Sequence, residues 1–175
     1  MTIARKLAIL VLFALLGMGV MTAWFLVSER KLILEERQTG VRQVVEVAHG
    51  IAVHFHTLST KGAMPDEEAR QRAAAAMQAL RYSGNEYIWI NDMHPRMVMH
   101  PVRPELNGQD LSANKDPNGL PLFMEFVRIV KTQGAGFVPY MWPKAGSDIP
   151  VEKTSYVKGF EPWGWVIGSG VYIDT

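Results

Sequence analysis

Near the N-terminus, 21 consecutive residues from Leu7 to Val27 carry no charge. At about 1.5 Å per helical residue such a run spans roughly 31 Å, the hydrocarbon thickness of a bilayer. It predicts one membrane-spanning helix at 7–27, a short N-terminus at 1–6 and a single folded domain over 28–175. A cleavable secretory signal opens in the same way, with Arg5 and Lys6 as its positive region. Here the run exceeds the usual signal length and no A-x-A-like site follows, so an uncleaved anchor is expected. Arg5 and Lys6 favour a cytoplasmic N-terminus, although Arg30 and Lys31 on the far flank reduce the asymmetry. The domain then lies outside a bacterial inner membrane, in a periplasm. The absence of cysteine is compatible with that compartment without proving it.

The formal net charge is +1, and removing Arg5 and Lys6 leaves 16 basic against 17 acidic residues. The domain is near neutral, with no basic patch to hold nucleic acid. Apolar residues at Val41, Val44, Val45, Ala48, Ile51, Ala52, Phe55 and Leu58 recur at helical spacing and predict a long amphipathic helix continuous with the membrane helix. That stripe serves equally as a core face or as the seam of a homodimer. Lys61 and Gly62 end it. Pro65 followed by Asp66, Glu67 and Glu68 opens a second, alanine-rich helix to about Leu80, because proline fits a first turn and carboxylates the positive helix end.

Beyond Gly84 the pattern changes to strands over 86–90 and 96–100, with Asn91, Asp92 and Pro95 between them. A loop over 101–119 precedes a third helix begun at Pro121 and stopped at Gly134, its apolar face made by Leu122, Phe123, Phe126, Val127 and Val130. Three more strands are expected at 136–142, 153–160 and 163–173. The order predicts an α+β domain, an antiparallel five-stranded sheet with helices packed on one side.

No catalytic motif is present, and neither an enzyme activity nor a cofactor is expected. His54 and His56 point to different faces of a helix. His49 and His56 are two turns, or about 10 Å, apart along the axis. Neither pair suits a metal. Gly168 and Gly170, in a strand, read as places where other groups approach the backbone closely. The strand half is rich in aromatic and cationic residues. Alternation puts Tyr87 and Trp89 on one face, Ile88 and Ile90 on the other, and pairs Tyr140 with Trp142. With His100 and with Arg81, Arg103, Lys115 or Lys153 nearby, such a face suits a small pocket for a carboxylate, and equally a plain sheet core.

An ordered series of residues then resembles a known family. It comprises Arg81-Tyr82, Tyr87 to Asp92, His100-Pro101, Gly108, Lys115 to Gly119, Tyr140, Trp142-Pro143-Lys144, Lys153, Tyr156 and Trp163 to Tyr172. This set is similar to single Cache domains, extracytoplasmic sensors of bacterial chemoreceptors and sensor kinases, and covers about 32–174. The resemblance implies a long N-terminal helix, a PAS-like sheet and a small organic acid as ligand, such as acetate, propionate, pyruvate or lactate, sensed for chemotaxis. Carried onto this sequence, it implies a pocket lined by Tyr87, Trp89, His100, Tyr140, Trp142 and Lys153, with Arg81 and Tyr156 as further candidates. Lys153 or Arg81 supplies the charge, and Asp116, Pro117 and Gly119 shape the loop above. Such receptors continue into a second membrane helix and a signalling region, whereas this sequence stops at Thr175. The expectation is therefore a receptor's sensor domain or, alternatively, a self-standing membrane-tethered binding subunit.

Overall fold

Helix α1 (Ile3–Thr60) opens the chain. The computed structural model describes residues 2–173, and within them the side chains of all but Ala8, Val11, Arg30 and Lys31. The predicted flanking pair Arg30 and Lys31 and the final residues 174–175 thus lie outside the described set. Two units divide the chain, Met1–Arg37 and Gln38–Thr175. In the first, α1 is long and apolar enough to cross a membrane. Leu10, Phe13 and Trp24 there are each 71% exposed.

In the second unit α1 is followed by α2 (Asp66–Gln78), β1 (Ile88–Asp92), β2 (Met97–Met99), α3 (Leu122–Gln133), β3 (Ala135–Pro143), β4 (Pro150–Phe160) and β5 (Trp165–Tyr172). Pro65 stands immediately before α2, and Gly134, with φ of 77°, turns α3 into β3. Both breaks fall where the sequence places them. The sheet is antiparallel in the order β2-β1-β5-β4-β3. This is the expected α+β architecture, and among the described residues it forms one sheet, a single PAS-like unit.

The placing of the helices differs from expectation. Ile88, Ile90, Tyr156, Phe160, Trp165 and Ile167 form one core with Val41, Val45, Ala48 and Ala52 of α1 and Ala69, Ala73 and Met77 of α2. Tyr87, Trp89, Val138, Tyr140, Trp142, Val157 and Val166 form a second core with Phe123, Phe126, Val127 and Val130 of α3. Helices thus cover both faces of the sheet, not one. The cause lies in the strands: successive residues point to opposite faces, and in β1 and β5 both alternating sets are apolar, so both faces need cover. Phe126 is fully buried, and truncating such a ring costs about 3–5 kcal/mol. Alanine and methionine on α2 keep that helix close to the first face, while the rings of Tyr87, Phe123, Phe126 and Tyr140 thicken the second. The second face holds the site.

Candidate ligand-binding site

Strand register builds the site. Tyr140 of β3 stands opposite Lys153 of β4, which stands opposite Tyr172 of β5, so three polar side chains form a row on the α3 face. Lys153 is 1% exposed and is the one buried lysine or arginine among the described residues. Its Nζ lies 3.4 Å from the hydroxyls of both Tyr87 and Tyr172. The same ammonium sits 4.4 and 4.5 Å from the two ring centroids, within cation–π range. Trp142 Nε1 donates to the Tyr87 hydroxyl at 3.1 Å, and the Tyr172 hydroxyl donates to the Pro143 carbonyl at 2.8 Å. Tyr140 and Ser155 share a hydrogen bond of 2.9 Å.

His100 enters from the end of β2. Its Nδ1 accepts the backbone N–H groups of Val102 and Arg103, at 3.3 and 2.9 Å. An acceptor Nδ1 fixes the proton on Nε2, so the ring is a neutral donor. Burial, with Lys153 and Arg103 adding repulsion, pushes its pKa down to about 3, and the ring stays uncharged at neutral pH. Its ring lies 4.9 Å from that of Tyr87, and Arg103 covers Trp142 from outside at 5.6 Å.

Beside these groups lies a half-open cavity of about 10 Å3, room for the centre of one water molecule. Tyr87, Trp89, Tyr140 and Trp142 line it from the sheet, His100 from one end, and Leu122, Phe123 and Phe126 from α3. Phe126 packs against Trp89 and Tyr140 with centroids 5.4 and 5.3 Å away. Above it, Asp116 ties its loop down: one oxygen accepts the N–H groups of Asn118 and Leu120, the other that of Met141 in β3.

Five of the sequence candidates, Tyr87, Trp89, His100, Tyr140 and Trp142, therefore line one cavity, and Lys153 is bonded to its Tyr87 wall. Arg81 and Tyr156 are not brought there. Arg81 is exposed and donates to the carbonyls of Gln78 and Leu80, capping the end of α2. Tyr156 lies on the opposite face, against Phe137 and beneath the guanidinium of Arg42 at 5.3 Å. Lys115 is exposed. Four contributors went unnamed among the sequence candidates, Tyr172 and the three apolar residues of α3. The first shows only in the cross-strand register; the α3 residues were visible as a helical stripe whose partner the sequence does not specify.

Desolvation dominates the electrostatics. Burial pushes Lys153 down from 10.5 to about 8, opposed by the negative charge of Glu86. Tyr87 is pushed up to about 12, and Tyr140 and Tyr172 move up as well, again chiefly through burial. The sign for Lys153 follows from linkage. Below pH 8 both folded and unfolded chains hold its proton, and the penalty of burying the charge is fully present. Between about 8 and 10.5 the unfolded chain binds more protons, so stability rises with pH, by about 3 kcal/mol at most. An anion held by the ammonium does the reverse, losing about tenfold in affinity per pH unit above 8. Melting the ligand-free and acid-saturated protein at pH 7 and pH 9.5 tests both signs: the ligand-free midpoint gains a stabilising contribution while the acid-induced shift shrinks. A ligand-induced shift of equal size at both pH values overturns the protonated-lysine site.

A long N-terminal helix, a PAS-like sheet and a buried cation beside an aromatic cavity make a candidate ligand-binding site. Comparison with known proteins agrees. The Cache domain family model matches residues 21–175. The methyl-accepting chemotaxis protein McpP of Pseudomonas putida is 41% identical over 174 residues, covering 99% of this chain and 32% of that protein. The sensor histidine kinase MctS of Rhizobium johnstonii is 30% identical over 120 residues, 69% of this chain and 26% of that protein. Among solved structures, a periplasmic sensor domain of a chemotaxis protein superposes with a TM-score of 0.80 at 55% identity, covering 81% of this chain and 98% of its own. A Cache chemosensory domain, solved as the structural basis for carboxylic acid recognition, gives 0.79 at 48% identity over 82% of this chain and 98% of its own. The chain belongs to the Cache domain family and is a Cache sensor domain. It spans about a third of the length of McpP and about a quarter of that of MctS.

Proposed function

We propose that this chain is the membrane-anchored periplasmic sensor of a bacterial chemoreceptor or sensor kinase, and that the cavity beside Lys153 binds the carboxylate of a small organic acid such as acetate, propionate, pyruvate or lactate. The observation that carries this is Lys153 itself, a buried ammonium whose immediate partners are neutral hydroxyls and aromatic rings. Such a charge is expensive to hide without an anion. Tyrosine hydroxyls and His100 Nε2–H supply neutral hydrogen bonds, and Trp89, Phe123 and Phe126 supply an apolar wall for a short carbon chain. The carboxylic acid recognition described for the 48%-identical domain supports the same ligand class.

A cavity of about 10 Å3 is smaller than any of these acids, so binding moves the lining side chains apart. The acid then favours the opened state, and a tenfold differential affinity shifts the balance by about 1.4 kcal/mol. β4 carries Lys153 on the cavity face and Tyr156 and Phe160 on the other, where Arg42, His49 and His56 of α1 rest on them. Displacing β4 therefore shifts α1. The apolar span of α1 anchors the chain in the inner membrane, and the exposed Val47 and Val53 offer a surface for a homodimer.

The test is a thermal-melt screen of the full chain in detergent against short carboxylates, amino acids, purines and polyamines. A bound acid at about 100 times its dissociation constant adds roughly 2.7 kcal/mol, expected to raise the midpoint by about 5 to 10 °C. A cooperative melt that no acid moves overturns the reading.

A further inference from the structure

Two histidines of α1 stand away from the cavity, where the helix meets the sheet. Arg42, Glu46, His49 and His56 recur at helical spacing and share one stripe of α1. Each touches β4 or the turn Glu161–Trp163 that follows it. The Arg42 guanidinium lies 5.3 Å from the Tyr156 ring, Glu46 pairs with Lys158, and the rings of His49 and His56 meet Phe160 edge-on at 5.4 and 5.7 Å. His56 also meets Trp163 at 5.7 Å, and that indole donates to Asp66 of α2, which pairs with Arg70. Since β4 carries Lys153 on its other face, this row is the seam through which a moving strand reaches α1. His49 is half-buried there, and the charged groups facing it are Glu46 from its own helix and Lys158 from β4. Burial first and the Lys158 charge second hold its pKa below the usual 6.5, with Glu46 opposing them. The ring is neutral at pH 7 and takes up a proton in mild acid. An imidazolium in that place repels Lys158, competes with it for Glu46 and calls for water that the packed rings exclude.

We infer that His49 makes the seam between α1 and β4 acid-sensitive, so that this sensor responds to protons as well as to its ligand: a protonated ring is driven from Lys158 and Phe160 and loosens α1 from the strand that carries Lys153. The link to the ligand rests on the carboxylate reading above; the acid sensitivity of the seam does not. The sign follows from linkage. With the folded pKa below the unfolded one, the seam is fully stable above about pH 6.5 and loses stability as pH falls through 6.5 toward the folded value. An acid that opens the cavity by displacing β4 loosens the same seam, so proton and ligand assist each other. Between pH 7 and 5.5 neither Lys153, at about 8, nor His100, at about 3, changes charge appreciably, and the cavity's own groups are silent.

Melting the full chain in detergent at pH 7 and 5.5, as wild type and as His49→Gln, tests the seam. Glutamine keeps a polar side chain there with no proton to gain. The wild-type midpoint is expected to fall by roughly 2 °C or more beyond the fall of the variant. Lys158→Gln guards against a folding defect in the first variant: it keeps the histidine, removes the cation that opposes its proton, and shrinks or reverses the fall. Titration calorimetry of the same samples with acetate, propanoate and pyruvate tests the link. Wild-type affinity is expected to rise about twofold or more from pH 7 to 5.5, and that of His49→Gln to stay level. Equal pH dependence of the melts in wild type and both variants overturns the acid-sensitive seam. An acid affinity that is the same at both pH values overturns its link to the cavity. Binding of none of the three acids overturns the carboxylate reading and the link with it, while the melts still decide the seam.

Discussion

Replacing Lys153 with methionine is expected to abolish acid binding while raising the melting temperature of the ligand-free protein. Methionine has nearly the length of lysine and fills the space between Tyr87 and Tyr172 without a charge. The binding loss follows from removing one partner of a desolvated charge pair, which costs about 2–5 kcal/mol and so lowers affinity by 30-fold or more on the roughly 1.4 kcal/mol per decade scale. The stability gain follows from the same burial. A lysine whose pKa falls to about 8 is charged inside the fold at a cost of about 3 kcal/mol at pH 7. Two cation–π contacts and two hydroxyl partners return part of that. A net gain of about 1 kcal/mol, or a few degrees, is expected. Lys153→Ala loses binding as well, but leaves a void and forfeits the gain. Titration calorimetry and scanning calorimetry on the same samples decide the matter. Undiminished acid binding in Lys153→Met removes the lysine from the site. A lower melting temperature shows that its ring and hydroxyl contacts outweigh desolvation.

Much of this was legible in the sequence because helices and strands have fixed periods. The stripe on α3 and its stop at Gly134, the break at Gly62 and Pro65, and the opposed faces of Tyr87 and Ile88 all follow from spacing and backbone sterics. Alternation also held an unused signal. Lys153 and Tyr156 are three residues apart in one strand, and an odd separation puts them on opposite faces, as the structure has them. Arg81, just past the last turn of α2, occupies a position where cations cap helix carbonyls. What spacing does not contain is register. Alternation relates residues within a strand and says nothing of which residue stands across from it, so Tyr172 became a partner of Lys153 only with β4 and β5 aligned.

Substituting alanine at Gly168 is expected to close the cavity from behind, and at Gly170 to disrupt the sheet itself. A Cβ at Gly168 lies 2.4, 2.7 and 2.8 Å from three atoms of the Trp89 indole. That ring is a rigid wall of the cavity, held by its Nε1 donating to Asn91 at 3.2 Å and backed by Phe126 at 5.4 Å. It has little room to retreat except into the cavity, so Gly168→Ala weakens acid binding strongly and destabilises the fold by about 1–3 kcal/mol. At Gly170 the Cβ meets Ser155 Oγ at 2.0 Å, the Thr154 carbonyl at 2.7 Å and Ser155 Cα at 2.9 Å. The last two are backbone of β4 and cannot rotate away. Relief requires the β4–β5 ladder to splay at the centre of the sheet, and a loss of about 3 kcal/mol or more is expected from Gly170→Ala. A double-mutant cycle separates the two mechanisms. Trp89→Phe removes the indole atoms that Gly168→Ala strikes, so the pair recovers stability relative to the sum of its parts. The same change combined with Gly170→Ala has no shared atom to relieve and stays additive within about 0.5 kcal/mol. Additivity at both glycines would mean that Gly168 is small for some reason other than the tryptophan lying across it.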